Sequence, residues 1–245
     1  MAEVATATAP LSSVYRVGRA PRPLAPPSWA YVAADGTFGN RFDDPSGRRG
    51  IPPEDRFRML YLSTTSASAF GETLARRRPD LESLARAGIV AAPRPFVPAS
   101  WRQVRRLGAT VLTTPLPFVD VAAAATLAVL RPALAAVALD VGLSDIDLSA
   151  VTGPHRLMTQ EAARYIYERR DVAGMPLYAG VRYLSRLNPN WECWAVFVDR
   201  LRHRVVRGGA TIDVDDPGLY EAAALLGLGI EDDHGRRRYP MVSLR

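Results

Sequence analysis

The chain has 245 residues, of which 48% are hydrophobic and 23% charged, a balance that predicts a folded globular protein and excludes a disordered one. The formal net charge of +6 is carried mainly by arginine, which suits an anionic partner and equally suits the arginine bias of a GC-rich bacterial genome. The single cysteine, Cys193, excludes an intrachain disulfide framework and a thiolate-rich metal site.

The N-terminal segment lacks the basic and apolar regions of a signal peptide. The most apolar segment, residues 119–143, is interrupted by charged residues and a proline, so it has no uncharged run long enough to span a bilayer. We therefore expect a cytoplasmic protein with no membrane contact.

Residues 1–12 are predicted to be a flexible N-terminal tail, and residues 13–245 a single domain. In chain order the first half predicts a strand at 13–19, a proline-rich connector at 20–29, a strand at 59–65, a helix beginning near Ser66 or Ser68, a short helix at 78–88 and a strand near 108–113. The first of these helices places Glu72 in its first two turns.

The alanine-rich segment 121–139 is ambiguous, because alanine favours a helix and Pro132 argues for a break. The remaining elements are predicted to be a helix at 157–170, strands at 179–188 and 191–201 joined by a turn at 188–190, a Gly-Gly turn at 208–209 before a short strand at 211–215, and a helix at 217–229. Strands near both ends and scattered helices predict an α+β fold with a mostly antiparallel sheet surrounded by helices.

Six residues stand apart from this scaffold: Arg16, Arg41, Tyr61, Glu72, Thr159 and Ser185. Arg41 lies in "FGNRFDDPSG", between a Gly-Asn turn and an Asp-Asp-Pro-Ser-Gly loop. Each of the six also has a purely structural interpretation. Arg16 could be an edge-strand residue, Arg41 could pair with Asp43 or Asp44 in a surface loop, and Tyr61 could be a core aromatic residue. Glu72 could be a solvated helix position, Thr159 a helix cap and Ser185 an outward-facing strand residue.

The succession of these motifs resembles the RES domain proteins, which are named for an arginine, a glutamate and a serine. The shared order is a strand with Tyr-Arg, a Gly-x-Arg-aromatic turn, a "YL" strand leading to a helix with glutamate, a helix near "TQ", and "G-x-x-Y-x-S-R" before an apolar "AVF" strand. The resemblance covers roughly residues 13–200. The family turn often reads Gly-Gly-Arg-aromatic, and Asn40 replaces the second glycine here; asparagine tolerates the left-handed conformation better than other non-glycine residues.

This resemblance implies a fold related to ADP-ribosyltransferases and an enzyme that degrades NAD⁺ at the nicotinamide–ribose bond, with phosphate slightly favoured over water as the acceptor. NAD⁺ is then the substrate and inorganic phosphate a co-substrate, and no cofactor is expected. The resemblance also implies the toxin of a toxin–antitoxin pair, whose partner is an antitoxin with an Xre-type helix-turn-helix domain. It is compatible with a homodimer, and we expect no direct binding of nucleic acid.

Carried over residue by residue, the resemblance assigns catalysis to Glu72, Arg41 and Ser185. It assigns binding of the dinucleotide to Arg16, Arg41, Tyr61 and Thr159. These residue types suit the chemistry, because a carboxylate stabilises the positive charge that develops on the ribose and arginine forks bind a pyrophosphate. Two alternatives stay open: transfer of ADP-ribose to a macromolecule, and an inactive module that only binds a nucleotide or a partner.

Overall fold

A computed structural model describes residues 3–87 and 94–240. The chain divides into two compact units that alternate along the sequence. Unit 1 contains residues 3–12, 26–62 and 111–204 of the described chain, and unit 2 contains residues 13–25, 63–87, 94–110 and 205–240.

Strands and helices alternate along the described residues. The strands are β1 (Thr6–Ala7), β2 (Val14–Arg19), β3 (Met59–Ser63), β4 (Phe96–Val97), β5 (Arg105–Leu112), β6 (Phe118–Asp120), β7 (Gly180–Leu184), β8 (Glu192–Phe197), β9 (His203–Ala210), β10 (Gly229–Glu231) and β11 (Arg237–Arg238). The α-helices are α1 (Ser66–Leu74), α2 (Leu81–Ala87), α3 (Ala99–Gln103), α4 (Ala124–Ala133), α5 (Ala135–Asp140), α6 (Leu148–Thr152), α7 (Arg156–Tyr167) and α8 (Pro217–Leu226).

Unit 1 is built on a sheet with the strand order β1-β6-β7-β8-β3. The β1–β6 and β7–β8 pairs are antiparallel, and the β6–β7 pair is parallel. Helix α7 packs on this sheet, since Ile166 belongs to the same buried cluster as Phe42, Val181 and Phe197. The N-terminal residues, predicted to be a flexible tail, contribute β1 to this sheet through the pairing of Thr6 with Val119.

Unit 2 contains a sheet with the order β2-β5-β9 and a small sheet with the order β11-β10-β4. Strands β2 and β5 are antiparallel over the whole length of β2. Helices α1 and α8 pack closely at Gly218, where a Cβ atom would collide with Ser66. The absence of a side chain at this glycine therefore sets the distance between the two helices.

The predicted α+β class with a mostly antiparallel sheet is confirmed. Helix α1 begins where the Ser/Thr run predicts it, because the Thr65 side chain accepts a hydrogen bond of 3.1 Å from the backbone N–H of Ser68. The alanine-rich segment is a broken helix, in which α4 and α5 are separated by Leu134. No helix in the described part of the chain is long and apolar enough to cross a membrane.

The prediction around the Gly-Gly pair is wrong, because β9 runs through both glycines and ends at Ala210. Residues 211–215, predicted to be a strand, lie outside it. The proline-rich connector at 20–29 explains why residue 209 is a glycine. A Cβ atom at Gly209 would lie 3.1 Å from the carbonyl oxygen of Pro21 and 3.1 Å from Cδ of Pro23. Gly209 therefore allows the connector to approach the strand rather than forming a turn.

Candidate functional site

The turn that carries Arg41 uses glycine for its one unusual backbone conformation. Gly39 has a φ of 73°, in the left-handed region that favours glycine. Among the described residues, no residue other than glycine has a positive φ, so Asn40 does not adopt the left-handed conformation. The replacement of the second family glycine by Asn40 therefore requires no strained backbone.

The backbone around Arg41 is held by four side chains of unit 1 that share this role and are named here the Arg41 clamp: Asp43, Tyr61, Thr159 and Gln160. Tyr61 lies on β3, and Thr159 and Gln160 lie on α7. Asp43, Thr159 and Gln160 are at most 3% exposed. Since buried polar groups must be satisfied, each of these contacts constrains the position of the turn.

Tyr61 and Asp43 hold the side of the turn that faces β3. The Tyr61 hydroxyl accepts a hydrogen bond of 3.0 Å from the backbone N–H of Phe42 and donates one of 2.9 Å to Oδ1 of Asp43. Oδ2 of Asp43 accepts a hydrogen bond of 2.6 Å from the backbone N–H of Asn40. Burial raises the pKa of the Asp43 carboxyl and raises the pKa of the Tyr61 phenol well above its ordinary value. The phenol therefore stays protonated and remains a donor at neutral pH.

Thr159 and Gln160 hold the opposite side of the turn. The Thr159 hydroxyl lies 2.6 Å from the carbonyl oxygen of Arg41 and 3.1 Å from that of Arg156, so its single proton favours Arg41. Nε2 of Gln160 donates to the carbonyl oxygen of Asn40 at 2.9 Å. Helix α7 begins at Arg156, so Thr159 lies inside the helix and does not cap it. Its hydroxyl instead fixes the arginine-bearing turn.

The loop that follows Arg41 is buried rather than exposed. Asp43 is 3% exposed and Asp44 5%. Asp44 caps the short 3₁₀ helix Pro45–Arg49 and also accepts a hydrogen bond of 2.9 Å from the backbone N–H of Phe57. Nη1 of Arg164 on α7 lies 3.3 Å from Oδ2 of Asp44. The interpretation of this segment as a surface loop is therefore wrong.

The Arg41 side chain lies near β7 and α6. Its guanidinium carbon is 6.0 Å from the centre of the Tyr183 ring, and Nη1 is 3.5 Å from the carbonyl oxygen of Val151. The ring of Phe42, the next residue along the turn, lies 5.0 Å from the same tyrosine ring. The turn is thus packed against the end of β7 through two consecutive side chains.

Ser185 directly follows β7 and is buried. Its backbone N–H donates to the carbonyl oxygen of Trp191 at 2.8 Å, and its Oγ accepts a hydrogen bond of 3.1 Å from the backbone N–H of Leu187. Tyr183, which Arg41 approaches, and Ser185 are two residues apart, so Arg41 and Ser185 both lie near the end of β7. Unit 1 therefore brings these two predicted catalytic residues to one end of one strand.

Arg16 and Glu72 belong to unit 2. Arg16 lies on β2, and its Nε donates to the carbonyl oxygen of Pro23 at 2.8 Å. Glu72 lies on α1 and is exposed, whereas Phe70, Gly71 and Leu74 are buried. The structure therefore presents a carboxylate to solvent from a well-packed helix. The convergence of all six predicted residues on one dinucleotide stays a prediction.

Two clamp residues, Asp43 and Gln160, were absent from the predicted site. Gln160 belongs to the "TQ" pair of the family pattern, which was the signal available in the sequence. Both polar atoms of its side-chain amide form hydrogen bonds, because Nε2 donates to Asn40 and Oε1 accepts a hydrogen bond of 2.5 Å from Arg48. Asp43 was considered only as an ion-pair partner of Arg41, and the structure shows it holding Asn40 and Tyr61.

No group of three or more His, Cys, Asp or Glu side chains in the described residues could hold a metal ion. A cleft of about 470 Å³ in unit 2 is lined by Arg78, Leu84, Arg94, Leu225 and Tyr239, among others. None of the six predicted site residues lines this cleft.

Comparison with known proteins gives a family match and a structural neighbour. A family model described as the RES domain matches residues 13–215. A crystal structure of the MbcT–MbcA toxin–antitoxin complex of M. tuberculosis contains a chain with 14% sequence identity and a TM-score of 0.42, and the match covers 83% of this chain and 88% of that one. No curated protein matches the sequence.

Proposed function

We propose that this chain, which belongs to the RES domain family, cleaves NAD⁺ at the bond between nicotinamide and ribose. The observation that carries the proposal is the Arg41 clamp. It holds the backbone N–H and C=O groups of Asn40, the C=O of Arg41 and the N–H of Phe42 with side chains from β3, the loop and α7. A guanidinium binds a diphosphate well only when its fork is held in a fixed direction, and a rigid backbone supports this.

The reaction needs few catalytic groups. The bond between C1′ of the ribose and the pyridinium nitrogen breaks, and its electron pair goes to the nitrogen, so nicotinamide leaves as a neutral molecule. An oxygen of phosphate or water forms the new bond to C1′; with water, a proton is released to solvent. Because the leaving group is already good, stabilisation of the positive charge on the ribose is the main requirement.

Glu72 is assigned to that charge in this proposal. A carboxylate near the ribose stabilises the oxocarbenium-like transition state more than the ground state. Helix α1 suits this role, because it is capped by Thr65 and packed against α8, so the backbone position of the glutamate is well determined. Exposure of Glu72 is compatible with access of a soluble substrate.

Arg41 and Ser185 are assigned to the substrate in this proposal. Arg41 binds the pyrophosphate with its guanidinium, and Arg16 is proposed to add a second cation. The Ser185 hydroxyl accepts a hydrogen bond from Leu187, and in this proposal it bonds a ribose or phosphate oxygen of the substrate.

The test is incubation of the purified protein with NAD⁺, with and without inorganic phosphate. Free nicotinamide is the expected product, and its dependence on phosphate identifies the acceptor. ADP-ribose found on a protein or nucleic acid would instead indicate a transferase, and an unchanged NAD⁺ pool would indicate an inactive binding module.

The assay becomes specific with the variant Glu72→Gln, which we expect to lower kcat at least about a hundredfold with an unchanged melting temperature. Glu82→Gln is the matched control, because Glu82 is an exposed glutamate of α2 in unit 2 that pairs with Arg86. A wild-type rate in Glu72→Gln would remove this residue from the mechanism.

We further propose that the chain is the toxin of a toxin–antitoxin pair and acts in the cytoplasm, with an Xre-type helix-turn-helix protein as its antitoxin. Expression of the chain should then arrest growth and deplete cellular NAD⁺, and co-expression of the neighbouring reading frame should restore growth. Growth arrest that persists in Glu72→Gln would separate toxicity from NAD⁺ cleavage.

A further inference from the structure

Positive charge is concentrated on three neighbouring strands, β2, β5 and β9. These strands lie in the order β2-β5-β9, and β9 belongs to unit 2 from Val205 onward. They contain no acidic residue, and their arginines are Arg16, Arg19, Arg105, Arg106, Arg204 and Arg207. Like charges on adjacent strands destabilise a sheet, so this arrangement favours an anionic partner.

The register brings some of these charges together. Arg19 on β2 pairs directly with Arg105 on β5. The Arg105 guanidinium lies over the ring of Trp101, 4.7 Å from its centre, and Arg106 donates to the carbonyl oxygens of Gln103 and Arg105 at 2.8 and 2.6 Å. In the part of the chain that the structure describes, Arg105, Arg106 and Arg207 form no ion pair. Arg105, Arg106 and Arg207 therefore have no carboxylate partner among the described residues.

Strand β9 is the last strand in this order and is unusually exposed. Residues 204–209 are all exposed, and Val205 and Val206 are 50% and 53% exposed. The strand is eight residues long, whereas natural edge strands are commonly kept short or blocked by proline. A long edge of this kind offers a row of backbone N–H and C=O groups for pairing with another strand.

We propose that the outer edge of β9 binds an extended, acidic segment of a partner protein as an additional strand. Backbone hydrogen bonds hold the segment, and its carboxylates pair with Arg207, which is exposed. Because side chains alternate between the two faces of a strand, the valine side chains of the segment lie on the opposite face and pack on Val206.

Charge argues against a second copy of this chain as the occupant. Antiparallel self-pairing centred on the two valines would place Arg204 of one copy opposite Arg207 of the other, and like charges directly opposite each other are destabilising. A nucleic acid would satisfy the arginines but not the backbone groups of the edge. An acidic polypeptide strand satisfies both.

The test uses a blocked peptide of alternating glutamate and valine, about ten residues long so that it spans β9. Fluorescence anisotropy measures its binding, and amide hydrogen exchange of the protein locates it. We expect binding of this peptide and no binding of a lysine–valine peptide of the same length. Bound peptide should slow exchange at alternate amides of residues 204–209, because the other amides already face β5.

Arg207→Glu should weaken peptide binding at least about tenfold, since it replaces an attraction by a repulsion. Arg131→Glu is the control, because Arg131 is 67% exposed on α4 of unit 1, and its reversal should change the affinity less than about twofold. Arg207→Gln, which removes the charge without reversing it, covers the case in which Arg207→Glu alters folding; both are checked by thermal melting.

Three results would overturn the proposal. The first is no binding of the acidic peptide, or binding that survives both Arg207 variants. The second is that a single-stranded oligonucleotide displaces the peptide in an Arg207-dependent way but does not slow exchange of the β9 amides. This outcome would indicate a nucleic-acid surface. The third is Arg207-dependent dimerisation in analytical ultracentrifugation, which would indicate a contact between copies of the chain.

Discussion

Removal of the Tyr61 hydroxyl is the sharpest test of the Arg41 clamp. In Tyr61→Phe the ring remains, but the backbone N–H of Phe42 loses its acceptor and Oδ1 of Asp43 loses its donor. Phe42 is 0% and Asp43 3% exposed, so water does not replace the hydroxyl easily. An unsatisfied buried polar group costs about 1–3 kcal/mol, so two such groups should lower the free energy of unfolding by about 2–6 kcal/mol.

Tyr167→Phe is the matched control, because Tyr167 packs against the same core cluster and its hydroxyl donates to Oδ2 of Asp199 at 3.1 Å. Asp199 is 51% exposed, so water can replace this bond and the expected loss is below about 1 kcal/mol. Urea unfolding followed by circular dichroism measures both variants. Equal losses in the two variants would refute the claim that Tyr61 holds the turn through buried hydrogen bonds.

Four further predictions concern the same turn. Thr159→Val should raise the KM for NAD⁺ about tenfold by releasing the carbonyl of Arg41, whereas Thr159→Ser should retain the wild-type value; equal KM values in the two variants would contradict a positioning role. Arg41→Lys should raise the KM about tenfold because the planar fork is lost, with Arg49→Lys, an exposed arginine in an ion pair, as the control in the same assay. Because the pKa of Asp43 is raised in the folded protein, its contribution to stability is present at pH values below the ordinary aspartate pKa and is lost as the pH rises through the native pKa. Asp43→Asn should therefore flatten the dependence of the free energy of unfolding on pH in the acid range. By the same sign, stability should fall as the pH rises above the ordinary tyrosine value of about 10, and Tyr61→Phe should remove this alkaline loss.

Features set by a few adjacent residues could be predicted from the sequence. The start of α1 depends on Thr65 and its hydrogen bond to Ser68, three residues away. The left-handed backbone conformation before Arg41 falls at Gly39, the residue type that adopts it most readily. In both cases the physical cause lies within one turn of chain, so the residue types are sufficient evidence.

Features set by distant residues could not be predicted in the same way. Thr159 contacts the carbonyl of Arg41 across 118 positions of sequence, and Gln160 contacts that of Asn40 across 120. A threonine near the start of a helix is an equally good candidate for a cap, and the sequence contains no local signal that distinguishes the two roles. The role of Gly209 was predicted wrongly for the same reason, because the proline-rich connector that requires this glycine lies near the start of the chain.

The clamp also changes how the predicted binding residues can act. Tyr61 and Thr159 were assigned to the dinucleotide by family resemblance, and their described hydrogen bonds go to the turn that carries Arg41. A residue of this kind affects substrate affinity through the direction of a guanidinium, so its loss should raise KM without any contact to the substrate. A direct ligand would instead respond to the chemistry of the substrate, for example to an analogue that lacks a ribose hydroxyl. If Ser185→Ala loses the wild-type discrimination between NAD⁺ and such an analogue while Thr159→Val keeps it, Thr159 acts through the arginine and Ser185 through the substrate itself.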